Sequence, residues 1–231
     1  MKHTTLLVPL ALFSAAIMAH DAWLMPNGSD NGYQLVYGHP GELEVYDPDK
    51  VEGVIAYDKN GNPQNVTSSV RDGMVEIKIS PDIALIAIDF DNGFWTEDPD
   101  RKHANKPKWE IEDYRSSSHS RKYNKNILTW NASFSQPLGT ELEIVPLANP
   151  LRLKPGDKLP VQVLYRSRPL AGAEVQIMGD EEAYTTDSRG RASIPLQATE
   201  FQYIAVGHKI ETRSNPNADV LSLSANLVFA P

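Results

Sequence analysis

From Gly32 to the C-terminus, apolar residues come in short alternating or continuous runs, and residues that turn a chain separate the runs. Gly32-Tyr-Gln-Leu-Val-Tyr-Gly38, Val54-Ile-Ala-Tyr57, Met74-Val-Glu-Ile-Lys-Ile79 and Leu85-Ile-Ala-Ile-Asp-Phe90 have a period of two or are apolar nearly throughout, the pattern of strands. Asp58-Lys-Asn-Gly-Asn-Pro63 and Ser80-Pro-Asp82 fall between them, where Gly and Asn accept positive φ and Pro presets its own. An antiparallel β-sandwich is expected over residues 20–145.

Between about 94 and 128 the pattern changes to polar sequence punctuated by aromatic residues, long for a loop. In compact domains such insertions are usually functional or disordered. A short helix is expected from about Ser116, because Tyr123, Ile127 and Trp130 fall at roughly helical spacing. Residues 146–231 return to runs of five to seven residues broken by Pro, Gly or Asp, the spacing of a small immunoglobulin-like or transthyretin-like β-sandwich. Within it, the Thr186-Asp-Ser-Arg-Gly190 turn is expected to close a hairpin. The fold class is therefore expected to be all-β, two β-sandwich units with a polar loop and short-helix insertion in the first.

Residues 1–19 pair a charged start with an apolar run from Leu6 to Ala16 and a small residue at Ala19, the pattern of a cleavable secretory signal. That run is about a dozen residues, short of the roughly 20 needed to cross a bilayer, so no stable membrane insertion is expected. Cleavage after Ala19 would leave a periplasmic chain beginning at His20. The chain has no cysteine, which removes disulfides and every thiolate site. Thirty acidic against 22 basic residues argue against nucleic acid or anionic lipid as partner, and suit a protein that gathers cations. The nucleophile elbow, the phosphate-binding glycine loop, the dinucleotide fingerprint and the His-Glu-x-x-His pair are all missing, and the chain is expected not to be an enzyme.

Histidine placement carries the remaining chemistry. As a first residue, His20 would offer its α-amine and imidazole Nδ1 to one ion. The amine's reference pKa, near 7.7 to 8.0, makes its deprotonation by a divalent ion inexpensive near neutral pH. Further imidazoles would complete a nitrogen-rich site suited to Ni²⁺ or Cu²⁺. The plainer alternative is a frayed tail. His39, in Tyr-Gly-His-Pro-Gly-Glu42, and His208, in Ala-Val-Gly-His-Lys-Ile210, each sit at or just after a strand and are either ligands or turn histidines. His103 and His119 lie in the polar insertion as secondary candidates, mobile ligands or plain surface residues.

These residues, with His20-Asp-Ala-Trp-Leu-Met-Pro26, Ser120-Arg-Lys-Tyr-Asn-Lys-Asn-Ile-Leu128, Leu153-Lys-Pro-Gly-Asp157 and Pro169-Leu-Ala-Gly-Ala-Glu-Val175, give the chain its likeness to a known group. It resembles the NikM-like nickel-uptake family, a domain of unknown function some of whose members accompany energy-coupling-factor nickel or cobalt transporters. The later segments also look like the carboxypeptidase-regulatory or collagen-binding-B type of β-sandwich, which bears on fold more than on function. The resemblance implies a periplasmic accessory protein that binds Ni²⁺, or Co²⁺, through His20, His39 and His208 and passes it to an inner-membrane importer. Two other readings stay open: a copper-binding carrier or oxidase resembling the histidine-brace proteins, and a structural or adhesive module without metal. Oligomeric state is not readable from the chain.

Overall fold

A computed structural model describes residues 20–39, 41–178, 180, 182–212 and 214–231, so the expected signal segment 1–19 lies outside the described residues. In chain order the strands are β1 (Asp21–Pro26), β2 (Gly32–His39), β3 (Glu42–Glu44), β4 (Val51–Asp58), β5 (Pro63–Gln64), β6 (Thr67–Arg71), β7 (Met74–Lys78), β8 (Ile83–Glu97), β9 (His103–Ala104) and β10 (Ser116–Ile127). They continue as β11 (Leu142–Pro146), β12 (Lys158–Tyr165), β13 (Arg168–Pro169), β14 (Glu174–Ile177), β15 (Ala183–Thr185), β16 (Arg191–Pro195), β17 (Gln202–Glu211) and β18 (Val220–Phe229). The described helical elements are short 3-10 turns, and none is long and apolar enough to cross a membrane. The all-β expectation holds.

The strands form three layers. A nine-stranded sheet ordered β15-β14-β17-β18-β10-β8-β4-β5, with β9 beside β8, is the middle one. A five-stranded sheet of β1, β2, β7, β6 and β3 covers one face, and a four-stranded sheet of β11, β12, β13 and β16 covers the other. Alternation along β8 shows this directly. Leu85 and Ala87 belong to the core shared with the four-stranded sheet, and Ile86, Ile88 and Phe90 to the core shared with β1, β2 and β7. Successive side chains point to opposite faces, so one strand feeds both cores.

Two sandwiches are present, but they share a sheet and do not part near residue 146. The middle sheet draws β4, β8 and β10 from the first half of the chain and β14, β17 and β18 from the second. They join through a parallel pairing of β10 with β18, Ser118 to Ile127 against Val220 to Phe229, so the sheet is not wholly antiparallel. The expected hairpin at Thr186–Gly190 is also not one. Its turn closes through Gly190 N to Asp187 O (2.9 Å), yet β15 pairs with β14 and β16 with β12, so the turn is a corner between layers. Gly190 has φ +70, and a Cβ there would meet Val163 O at 2.6 Å, so only glycine lets the corner press on β12.

The expected helix near Ser116 is strand β10, and the excursion is confined to residues 98–115 with one 3-10 turn at Lys108–Glu110. The reason is burial on both sides. Lys122 to Ile127 are all buried between β8 and β18, although Lys122, Asn124, Lys125 and Asn126 are polar. Asn124 Nδ2 donates to Asn226 Oδ1 (2.5 Å), and Asn126 Nδ2 to Leu24 O (3.1 Å). On the other face, Lys125 Nζ donates to Glu143 Oε1 (2.6 Å) and Ile144 O (3.0 Å). Asn124, Lys125 and Asn126 thus each donate to a specific partner on a neighbouring strand, as interior residues do.

The Lys125–Glu143 pair generates a stability prediction. Glu143 is 2% exposed and also accepts from Leu138 N (2.7 Å) and Gly139 N (3.0 Å), while burial pulls the Lys125 ammonium below its ordinary pKa. Glu143→Ala is expected to cost about 3–5 kcal/mol in urea unfolding, because it strands a buried cation. The double variant Glu143→Leu with Lys125→Met should recover a large part of that loss, since both charges leave together.

Candidate metal centre

The site begins with strand register. β1 and β2 pair antiparallel from Asp21 opposite Gly38 to Pro26 opposite Tyr33. One step beyond Asp21 and Gly38 stand His20 and His39, side by side at the open end of the hairpin. Directly opposed residues on antiparallel strands have Cβ atoms about 4.5–5.5 Å apart. The two imidazoles accordingly meet edge to face, with ring centroids 4.5 Å apart and planes at 79°. Two imidazoles bound cis to one ion at the usual nitrogen–metal distance of about 2.0 Å place their ring centres roughly 4.5 Å apart. The centroid separation of the pair equals that spacing.

His20 is held in position by the residues that come after it in β1. Asp21, Ala22, Trp23 and Leu24 are all at most 5% exposed, which rules out the frayed tail. Asp21 accepts from Tyr203 Oη (2.7 Å) and Ser224 Oγ (2.8 Å). Asn226 Nδ2 donates to Ala22 O at 3.0 Å, and Asn126 Nδ2 to Leu24 O. Burial, then the charge and hydrogen bond of Asp21, push the Tyr203 hydroxyl well above its ordinary pKa and keep it a donor.

Around the pair, His20 Nδ1 lies 3.2 Å from Glu44 Oε2, and the His20 ring stands edge-on to Tyr37 with centroids 5.8 Å apart. Sequence inspection missed Glu44. Its readable signal was Gly41, whose φ of +92 marks the turn that brings β3 back beside β2 and sets Glu44 opposite Tyr37. Tyr37 Oη accepts from Asn92 Nδ2 (3.0 Å). Burial raises its pKa to about 12, with Asn92 opposing and the charges of Glu44 and Asp21 adding, so it is neutral at physiological pH. These groups open into a cleft of about 880 Å³ that His103, Trp95, Lys50 and Lys122 also line.

The five sequence candidates divide by sheet face. His20, His39 and the exposed His103 share the cleft. His208 does not. On β17, Tyr203 and Ala205 pack with Trp23 of β1, whereas Ile204 and Val206 face the four-stranded sheet. Alternation sends His208 with the latter, and its ring packs edge-on to Tyr165 of β12 at 4.9 Å, half-buried, with burial lowering its pKa. His119 is also turned away. Ser118, Ser120 and Lys122 line the cleft, so His119 faces the other side of β10, where Nε2 meets Asp91 at 2.8 and 3.0 Å and the ring stacks on Phe94. The three-imidazole set of His20, His39 and His208 is therefore not assembled.

Among the described residues, no group of three or more His, Asp or Glu side chains is close enough to hold a metal ion. What the fold supplies is a cis pair of imidazoles and a neighbouring carboxylate. Chelation through His20 Nδ1 would release Glu44 from that nitrogen. The third nitrogen would have to be the His20 backbone amine, which exists only once the chain is cut after Ala19.

The family described as Domain of unknown function (DUF4198) matches residues 17–210. An uncharacterized protein of Haemophilus influenzae is 29% identical over 174 residues, covering 75% of this chain and 74% of its own length.

The geometry of the hairpin end makes Gly38 the first point of test. Gly38 has φ +126, and a Cβ there would run into the backbone carbonyl of Glu42, so Gly38→Ala should displace β3 and separate His39 from His20. The check is in the imidazole resonances of His20 and His39, which should shift while those of His208 stay in place. Asp91 carries a second prediction. Burial works to raise its pKa, but hydrogen bonds from His119 and Gly93 N and the charges of His119 and Arg121 outweigh this and hold it low. A lowered folded-state pKa stabilises above the unfolded value and is lost as pH falls through the folded one. Asp91→Asn should therefore melt below the wild type at pH 6, and the gap should close as the pH drops below about 4, the reference value for aspartate.

Proposed function

This chain belongs to the family described as Domain of unknown function (DUF4198), and from that footing we propose that it is a periplasmic metal-binding accessory protein for nickel or cobalt uptake. The observation that carries the proposal is the juxtaposition of His20 and His39 at the end of a buried strand that begins one residue after the expected cut. Processing would turn the His20 backbone nitrogen into an amine. That amine, the His20 imidazole and the His39 imidazole would then present three nitrogens to one ion. His103, which lines the same cleft, is the candidate for a fourth. His208 and His119 take no part in this proposal.

The chemistry suits a carrier. An ion held by three protein nitrogens keeps positions open to water or to an incoming ligand, and open positions allow exchange. Glu44 and Asp47 line the cleft and Glu42 is paired with His39 across β2 and β3, on a chain of net charge −8, and these carboxylates draw cations toward it. An inner-membrane importer would be the recipient. Copper satisfies the same donors and binds them more tightly than nickel, so the donor set does not choose between the two.

Calorimetric titration with Ni²⁺ of protein starting at His20, against protein carrying one extra residue ahead of it, tests the proposal. The extended form is expected to bind at least about tenfold more weakly, as is His39→Ala, while His208→Ala should bind like the wild type. Equal affinity of the processed and extended forms would remove the amine from the site. A thermal midpoint unmoved by excess Ni²⁺ or Cu²⁺ would leave a structural module without metal. Turnover of an oxidisable polymer by the copper-loaded protein with peroxide would make it an enzyme.

A further inference from the structure

Lys122 is 2% exposed, lines the cleft and makes no hydrogen bond or ion pair among the described residues. The Tyr37 ring centre lies 5.9 Å from its Nζ. Asp21 attracts it through space, but the Asp21 oxygens are taken by Tyr203, Ser224 and the Ala22 amide. Burying a cation without an acceptor is expensive, and proteins seldom retain one without a partner.

A second ammonium faces the same space. Lys50 Nζ donates to Asn92 Oδ1 (3.0 Å) and lies 5.4 Å from the Trp95 ring centre. Its charge disfavours that of Lys122, and burial acts on both in the same direction. Beside Lys122, the hydroxyls of Ser118, Ser120 and Ser222 line the cleft and make no hydrogen bond among the described residues. Their placement is not accidental to the fold. Ser118, Ser120 and Lys122 are alternate residues on one face of β10, and the parallel register sets Ser222 of β18 beside Ser120.

We propose that this stripe is an anion subsite next to the histidine pair, and that its ligand is a small multidentate organic carboxylate bound to the metal ion. Converging ammoniums and free hydroxyls are donors waiting for oxygen atoms. An organic anion fits better than an inorganic one, because Trp95 and Tyr37 form apolar walls and the cleft, about 880 Å³, has the size of a small-molecule pocket, about 300–1,000 Å³, and not that of a single ion. Tyr37 stands between the two halves, 5.8 Å from the His20 ring and 5.9 Å from Lys122. Within the lysine half of the cleft a cation is disfavoured, whereas Glu44 and Asp47 favour it in the histidine half. A carboxylate ligand reverses the sign in the lysine half, with one end on the metal and the other on the lysines. The ternary part rests on the metal-binding proposal above, whereas the anion subsite stands on its own donors.

Citrate serves as the probe, with protein starting at His20. Calorimetry with Ni²⁺ alone and with preformed nickel–citrate should give a one-to-one-to-one complex in the wild type. Lys122→Met, close to lysine in volume and free of the buried charge, should fold with an unchanged or higher melting midpoint. It should bind bare Ni²⁺ within about twofold of wild type and nickel–citrate at least about tenfold more weakly, the size of a lost charged hydrogen bond. The double variant Ser120→Ala with Ser222→Ala keeps the charge and should weaken nickel–citrate in the same direction, which covers the case that Lys122→Met does not fold. Phosphate in place of citrate should give no ternary complex. Citrate that merely strips nickel from both wild type and variant, to the same degree, overturns the proposal. Should bare Ni²⁺ fail to bind the wild type, the histidine proposal falls separately. Metal-free citrate that raises the melting midpoint of wild type and not of Lys122→Met then upholds the anion subsite, and a midpoint unmoved in both overturns it.

Discussion

Strand β1 is gripped by side chains of the middle sheet, and the position of the candidate site depends on that grip. Its carbonyls at Ala22 and Leu24 are taken by Asn226 and Asn126, and its first side chain, Asp21, by Tyr203 and Ser224. Each such hydrogen bond contributes only about 0.5–1.5 kcal/mol net. Leaving any of these buried groups unpaired costs more, so the alternatives to the observed position are penalised more than the position is rewarded. Trp23 adds an apolar anchor, edge-on to Tyr203 with centroids 5.4 Å apart. The chain immediately upstream of Asp21 therefore emerges at one place, and His20 stands there.

The same grip explains why the middle sheet is rich in buried asparagine. A strand laid over another sheet needs apolar contacts for adhesion, but apolar contacts alone do not fix its position along the direction of sliding. Asn126 and Asn226 meet specific carbonyls of β1 and supply that fix, and Asn124 ties β10 to β18 through Asn226. A slip of one residue between β1 and β2 would turn every β1 side chain to the opposite face and carry Trp23 out of its core. Register and burial thus reinforce one another, and the pairing of His20 with His39 is a consequence of both.

Much of the fold was legible because alternation and turn chemistry are local. Strands β2, β4, β7 and the first half of β8 and the breaks between them follow from period and from Gly, Pro, Asn and Asp. The stretch from Ser116 to Ile127 was not legible for a reason that lies outside its own sequence. Lys122, Asn124, Lys125 and Asn126 look like a solvated face, and only a sheet on each side of β10, supplying Tyr37 and Leu24 on one and Glu143 on the other, with Asn226 on the adjacent strand, makes them interior. The sharing of one sheet by the two sandwiches was hidden likewise, since the parallel pairing of β10 with β18 joins residues about a hundred positions apart, and no local pattern encodes it.

The candidate site was partly legible, and the division comes from parity. His20 and His39 are brought together by an antiparallel register whose count could be read from the hairpin. His208 was expected beside them because it lies after a strand, but lying after a strand does not say which face of the sheet a side chain takes. The deciding fact is that Tyr203 and Ala205 pack on Trp23, and an odd number of steps separates either from His208. Faces alternate with period two in both β10 and β17, so each strand sends one histidine away from the cleft, and β10 keeps small or charged residues toward it. On β10 those residues are Ser118, Ser120 and Lys122. The lining that β10 contributes to the cleft is accordingly basic and hydroxylic, and alternation along that strand, not its composition, is what turns His119 away from it.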